Sequence, residues 1–201
     1  MTARADDENV VVKMKGDAMV APRLMTAKGY YATPETVLPA ELAFGVLHVR
    51  DAPTARHQSA VLRMVQALDR HVTERRLGQA WVAPLDVVLD EAKALIVQPD
   101  VLFISNERSD IVRERVYGAP DLVIEILSPN PRVGSTAEHL RWFAEYGVRE
   151  CWLVHQDQQR LSVTEFRERL PVPARIFGAD EAIRSSVLPE FDLSLRQILS
   201  R

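Results

Sequence analysis

Apolar residues recur at three- and four-residue spacing between positions 53 and 77. Val61, Leu62, Val65, Leu68, Val72 and Leu77 form one stripe, with Arg63, Asp69, Arg70, Glu74 and Arg75 between them. That period predicts a long amphipathic helix, with Pro53 in its first turn and Gly78 as its stop. Elsewhere the pattern is β-like. Residues 44–50 read as a strand, and 80–89 and 95–105 as a hairpin around Asp90–Lys93. Residues 121–127 are almost continuously apolar, as expected of a strand buried on both faces, and Ser128-Pro129-Asn130-Pro131 ends it. A helix is predicted from about 135 to 146, capped by Ser135 or Thr136 and stopped by Gly147. Strands at 150–155 and 161–166, an irregular stretch at 167–181 and a helix at 193–199 complete the chain. Near the start, 10–14 form a short β-like run suited to a sheet edge, and 25–32 a short helix that Pro34 ends. This order predicts an α/β fold with a central mixed sheet flanked by helices.

Composition narrows the picture. A chain of 201 residues with 47% hydrophobic content can build one full core. We divide it into an N-terminal extension, 1–24, and a single domain, 25–201. A net charge of −3 argues against tight non-specific nucleic-acid binding but leaves room for a local basic face. The lysines are Lys13, Lys15, Lys28 and Lys93, so none follows position 93. The single cysteine, Cys151, excludes an internal disulfide framework and a cysteine-rich zinc site, and reads as a buried thiol. No signal-like or membrane-spanning apolar run is present, so a soluble, cytoplasmic protein is expected.

Two acids stand out against this background. Glu125 interrupts Leu122-Val123-Ile124-Glu125-Ile126-Leu127, and a carboxylate in a core strand is costly to ionise unless something binds it. A divalent cation is one solution and an arginine partner another. Asp100 lies in Val97-Gln98-Pro99-Asp100-Val101, at the edge of an apolar run, where bonding to local amides would also suffice. Together the two acids could hold Mg²⁺ or Mn²⁺, which polarises a phosphate and acidifies an attacking water.

Three ordered blocks carry a family resemblance. They are Val97–Val101, Gly118-Ala119-Pro120-Asp121 running through Glu125 to Ser128-Pro129, and Tyr146-Gly147-Val148-Arg149-Glu150-Cys151-Trp152-Leu153-Val154. Arg56-His57-Gln58 and Pro84-Leu85-Asp86 are weaker echoes. Over roughly residues 25–199 the chain resembles the Uma-type endonucleases of the PD-(D/E)xK superfamily. The resemblance implies a restriction-endonuclease-like fold with Asp100 and Glu125 as the metal-binding acids, and Glu41 as a further acid of the site. It also exposes departures. Leu127 stands two residues after the acid, where the wider superfamily has lysine. His139 and Ser135 stand where the subgroup has lysine and aspartate, and Val46 where it has glutamate.

His139 could supply part of the lysine's task as base or cation, or it could be an ordinary solvent-facing helix residue. Gln98 is a candidate assistant in the attack. His57 could reach phosphate or metal, or merely hydrogen-bond at the helix start. Trp81, Trp142 and Trp152 read as core. The expected function is a metal-dependent endonuclease acting on DNA phosphodiesters, with Asp100, Glu125, His139 and Gln98 in catalysis and Asp100, Glu125 and Glu41 on the metal. The competing expectation is a catalytically impaired relative with a binding or accessory role. A homodimer is a further expectation, with residues 10–14 as one pairing edge.

Overall fold

The computed structural model describes residues 24–34, 39–127 and 136–200. The edge strand expected at 10–14, the dimer contact suggested for it, and the Ser135 cap lie outside the described residues. The chain begins with helix α1 (Ala27–Tyr31) and the hairpin β1 (Ala40–Ala43) and β2 (Val46–Val49). Helix α2 (Ala55–Glu74) then leads to β3 (Gly78–Val82), β4 (Val87–Asp90), β5 (Leu95–Val97) and β6 (Val101–Ser105). A 3₁₀ turn (Asn106–Ile111), β7 (Val116–Tyr117) and β8 (Leu122–Leu127) follow. Helix α3 (Thr136–Tyr146), β9 (Glu150–His155), β10 (Arg160–Arg167), β11 (Leu170–Pro171), β12 (Arg175–Gly178) and α4 (Leu195–Leu199) complete it.

The strands form two mixed sheets. One runs β2-β1-β5-β4-β7 and the other β11-β10-β9-β8-β6-β3, with β12 also on β10. The expected hairpin of 80–89 with 95–105 therefore passes from one sheet to the other. β4 pairs with β5 in the first sheet and β3 with β6 in the second. Both expected strands break where proline removes a ladder donor, at Pro84 and at Pro99. The strand expected at 44–50 is present as β2, Val46–Val49, but Phe44-Gly45 form the turn of a hairpin with β1, Ala43 opposite Val46. The stretch 167–181 is less irregular than expected, since it supplies β11 and β12.

Helix α2 follows its stripe except at Leu62, which is 56% exposed, and Leu77, which lies beyond the helix. Ala60, Val61, Met64, Ala67, Leu68 and Val72 are buried against one face of the second sheet, with Phe103, Ile124, Trp152 and residues of α4. Its N-terminus is capped by Thr54, which accepts from the His57 amide at 3.2 Å. Its stop is not Gly78, which opens β3. A Cβ there would sit 2.1 Å from the Ile104 carbonyl oxygen, so glycine permits the close approach of β3 to β6. The second core lies between the sheets, where Val87, Leu95 and Val97 meet Leu102, Val123, Leu153 and Phe143 of α3. Cys151 is buried here, and burial pushes its thiol well above the ordinary range. The alternation of β8 turns Ile124 and Ile126 toward α2, and Val123 and Glu125 toward the inter-sheet side. No helix among the described residues is long and apolar enough to cross a membrane.

Candidate functional site

Strand pairing brings the two predicted acids together. β6 and β8 are antiparallel with Val101 opposite Ile124, so the next step along the register sets Asp100 beside Glu125. The Asp100 Oδ2 accepts the Ile126 amide at 2.7 Å and lies 3.1 Å from His57 Nε2. Asp100 is thereby anchored from β8 and from the first turn of α2. Glu125 is held less completely, with a backbone hydrogen bond from Asp100 as its support. Its side chain is only 12% exposed, and its Oε1 is buried without a hydrogen-bond partner. Burial first, then the neighbouring Asp100 charge, pushes the Glu125 carboxyl well above the ordinary range, against the opposing pull of Arg50.

Glu41, from β1, completes the acidic group but is already occupied. Its Oε2 forms a short ion pair with Arg50, and its Oε1 accepts the Gln98 amide at 3.0 Å. Arg50 follows β2, across the hairpin from Glu41, and its side chain is 9% exposed. Burial pulls the Arg50 guanidinium down, but Glu41, then Glu125 and Asp100, more than offset that and raise it. The Arg50 Nε is buried and unpartnered.

His139 faces this group rather than solvent. Its Nε2 is 3.6 Å from Glu41 and its Nδ1 is 4.0 Å from Glu125. Its ring lies against Trp142, with centroids 5.1 Å apart, and against Phe143. Burial lowers its pKa from the usual value, which favours the uncharged imidazole. Gln98 does not present its side chain to the acids. Its amide nitrogen donates to Asp86 at 2.8 Å and its oxygen accepts the Ala40 amide at 3.2 Å. Gln98 therefore holds Glu41 through its backbone, and Asp86 is fixed in turn by Tyr30 and Arg115. Lys93, the lysine nearest to Asp100 in the chain, is bonded to Tyr146 at 3.0 Å and paired with Asp90.

Arg50 was not singled out by its sequence. A basic residue nine positions after Glu41 carries no signal until the hairpin folds. Only the excess of buried acids over nearby lysines asks for such a partner.

The donor set at Asp100 and Glu125 fits a hard divalent cation. Two carboxylates stand side by side, and one carries an acceptor that nothing satisfies. Among the described residues, no group of three or more His, Cys, Asp or Glu side chains is arranged to hold a metal ion. The fit is that of a two-carboxylate site beside a third, arginine-bound acid.

The sequence model of the Uma2 family, described as "Putative restriction endonuclease", matches residues 28–196. A solved structure from Anabaena variabilis, described as a putative nuclease belonging to DUF820, superimposes with a TM-score of 0.74. It is 21% identical, and the match covers 88% of this chain and 98% of that one, which shows a shared fold. No curated protein matches the chain.

Proposed function

The chain belongs to the Uma2 family of restriction-endonuclease-like proteins, and on that footing we propose that it is a metal-dependent endonuclease hydrolysing DNA phosphodiester bonds at Asp100 and Glu125. The observation that carries this reading is the unpartnered Glu125 oxygen beside an anchored Asp100. A fold that leaves a buried acceptor unsatisfied accepts a cost of about 1–3 kcal/mol, which a bound cation would remove. Mg²⁺ or Mn²⁺ held there supplies Lewis-acid polarisation of the phosphate and acidification of water.

The remaining work falls to residues of this chain. His57 and the Ile126 amide orient Asp100. Gln98 and Arg50 hold Glu41. The His139 imidazole, its pKa lowered by burial, faces the acids from α3 where the subgroup has lysine, and serves as the candidate general base. Arg50 adds a fixed positive charge to a group otherwise composed of acids.

A second reading has its own support. Glu41 is committed to Arg50, and the subgroup's lysine is His139, so a nuclease fold kept for binding is the alternative. Plasmid and single-stranded DNA incubated with Mn²⁺ or Mg²⁺ separate the two. The endonuclease reading expects cleavage by wild type, none by Asp100→Ala, and metal affinity weakened about 10–100-fold in His57→Ala, which loses only an orienting partner. Equal behaviour of wild type and Asp100→Ala, with no heat on Mn²⁺ titration, would leave the binding role standing.

A further inference from the structure

The hairpin between β1 and β2 turns through two residues, Phe44 at φ 49° and Gly45 at φ 85°. Positive φ at both central positions is the type I′ pattern, which favours Asn-Gly or Asp-Gly. Phenylalanine is a costly occupant of the first position, because its Cβ crowds the backbone in the left-handed region. The turn is also pinned. Met25 donates to the Gly45 carbonyl at 2.7 Å, and Gly45 donates to the Ala94 carbonyl at 3.2 Å. A rigid, strained turn thus presents a large apolar ring that is 41% exposed and belongs to none of the three core clusters.

What the ring touches gives it a direction. Phe44 meets Trp142 edge-on, with centroids 5.7 Å apart. Trp142 is half-buried and lies against His139, which stands within 4.0 Å of both Glu41 and Glu125. A chain of ring contacts therefore runs from exposed Phe44 through Trp142 and His139 to the acids.

We propose that Phe44 and Trp142 form a stacking subsite for one unpaired nucleobase of the strand whose phosphate lies at Asp100 and Glu125. This inference rests on the endonuclease reading for its ligand class. Every base has a π-face, so an aromatic platform binds single-stranded nucleic acid with little sequence preference. The platform is linked to the acids through the His139 ring, which lies 5.1 Å from Trp142 and within 4.0 Å of Glu41 and Glu125. A paired base, stacked within its duplex, cannot use it.

The exposed strain makes a discriminating experiment available. Phe44→Asn removes the platform and places in the turn a residue that suits it. The full-length protein would be titrated with fluorescently labelled oligo(dT) and with a duplex of equal length, in Ca²⁺, by anisotropy. Phe44→Asn is expected to lose about 5- to 150-fold in single-strand affinity, the range for one base–aromatic stack. Its duplex affinity should change less than twofold, and its thermal midpoint should stay level or rise. Phe44→Tyr should retain single-strand binding. Unchanged single-strand affinity in Phe44→Asn would overturn the subsite, as would an equal loss on both ligands or failure of wild type to bind oligo(dT). A lowered midpoint with unchanged affinity would assign Phe44 to packing alone. Asp100→Ala run in parallel keeps the two ideas apart. Cleavage lost in Asp100→Ala with Phe44→Asn binding intact defeats only the subsite, and the converse defeats only the endonuclease.

Discussion

Glu125 and Glu150 sit on neighbouring hydrogen-bonded strands, β8 and β9, and their surroundings are opposite. Glu150 is fully buried, and four donors converge on its carboxylate: Trp152 Nε1 and Ser185 Oγ at 2.6 Å, and the Ser186 amide and hydroxyl at 2.8 Å. These bonds tie the loop before α4 to the central sheet. Glu125 faces the other side, beside Asp100 and Glu41, with one oxygen that meets no donor. A buried acid is therefore not in itself a functional sign. Glu150 is a structural acid whose oxygens are satisfied by hydrogen bonds, and Glu125 is one the fold leaves incomplete.

The largest expected effect comes from breaking the satisfied member. Glu150→Ala strands the buried Trp152 Nε1 donor and releases the half-buried Ser185 and exposed Ser186 donors, and should cost about 3 kcal/mol in urea denaturation. Mn²⁺ binding by the folded fraction should be unaffected. A loss under 1 kcal/mol would mean that these donors find other partners, and the contrast with Glu125 would lose its structural half. The next effect concerns the third acid. Arg50→Met leaves Glu41 without its counter-charge, at an expected cost of about 3 kcal/mol. The double variant Arg50→Met/Glu41→Gln should recover most of that loss, and a double-mutant cycle measures the coupling. Additive losses would show that Arg50 supports Asp100 and Glu125 as much as Glu41.

The sequence made the acid pair readable for a physical reason. Glu125 interrupts a run of core residues, whereas Glu150 begins its strand and offers no such contrast. The long helix was equally plain, because most of its stripe, though not Leu62, lies on the face that α2 buries. The hairpin of β1 and β2 was not. Phe44 occupies a turn position where asparagine would have announced the reversal, so the strand read as starting at 44 and β1 went unread. Arg50 disappeared with it, since only the turn brings it to Glu41. The division into two sheets at Pro84 and Pro99 was hidden as well, because apolar residues continue past both prolines. The orientation of His139 could not be read from helical period alone. It depends on which face of α3 docks beneath the acids.

The smallest effect has the opposite sign and bears most directly on Glu125. Its folded-state pKa is raised by burial and by Asp100, so in metal-free protein it lies above the unfolded value of about 4.3. The folded state holds this proton over a pH range in which the unfolded chain has released it. The associated stability is complete below the unfolded pKa and is lost as pH rises through the raised one. Glu125→Gln removes that dependence and keeps the shape. In EDTA at neutral pH it should be more stable than wild type by about 1–3 kcal/mol, with a flatter pH profile above the ordinary glutamate range. At about 2–4 °C per kcal/mol the shift is visible in a thermal melt. Added Mn²⁺ should raise the midpoint of wild type and leave the variant nearly unmoved, because the variant has lost a ligand that only the folded state assembles. A variant less stable than wild type, with the same pH slope, would place Glu125 beside Glu150 as a satisfied structural acid and remove the physical ground for a cation there.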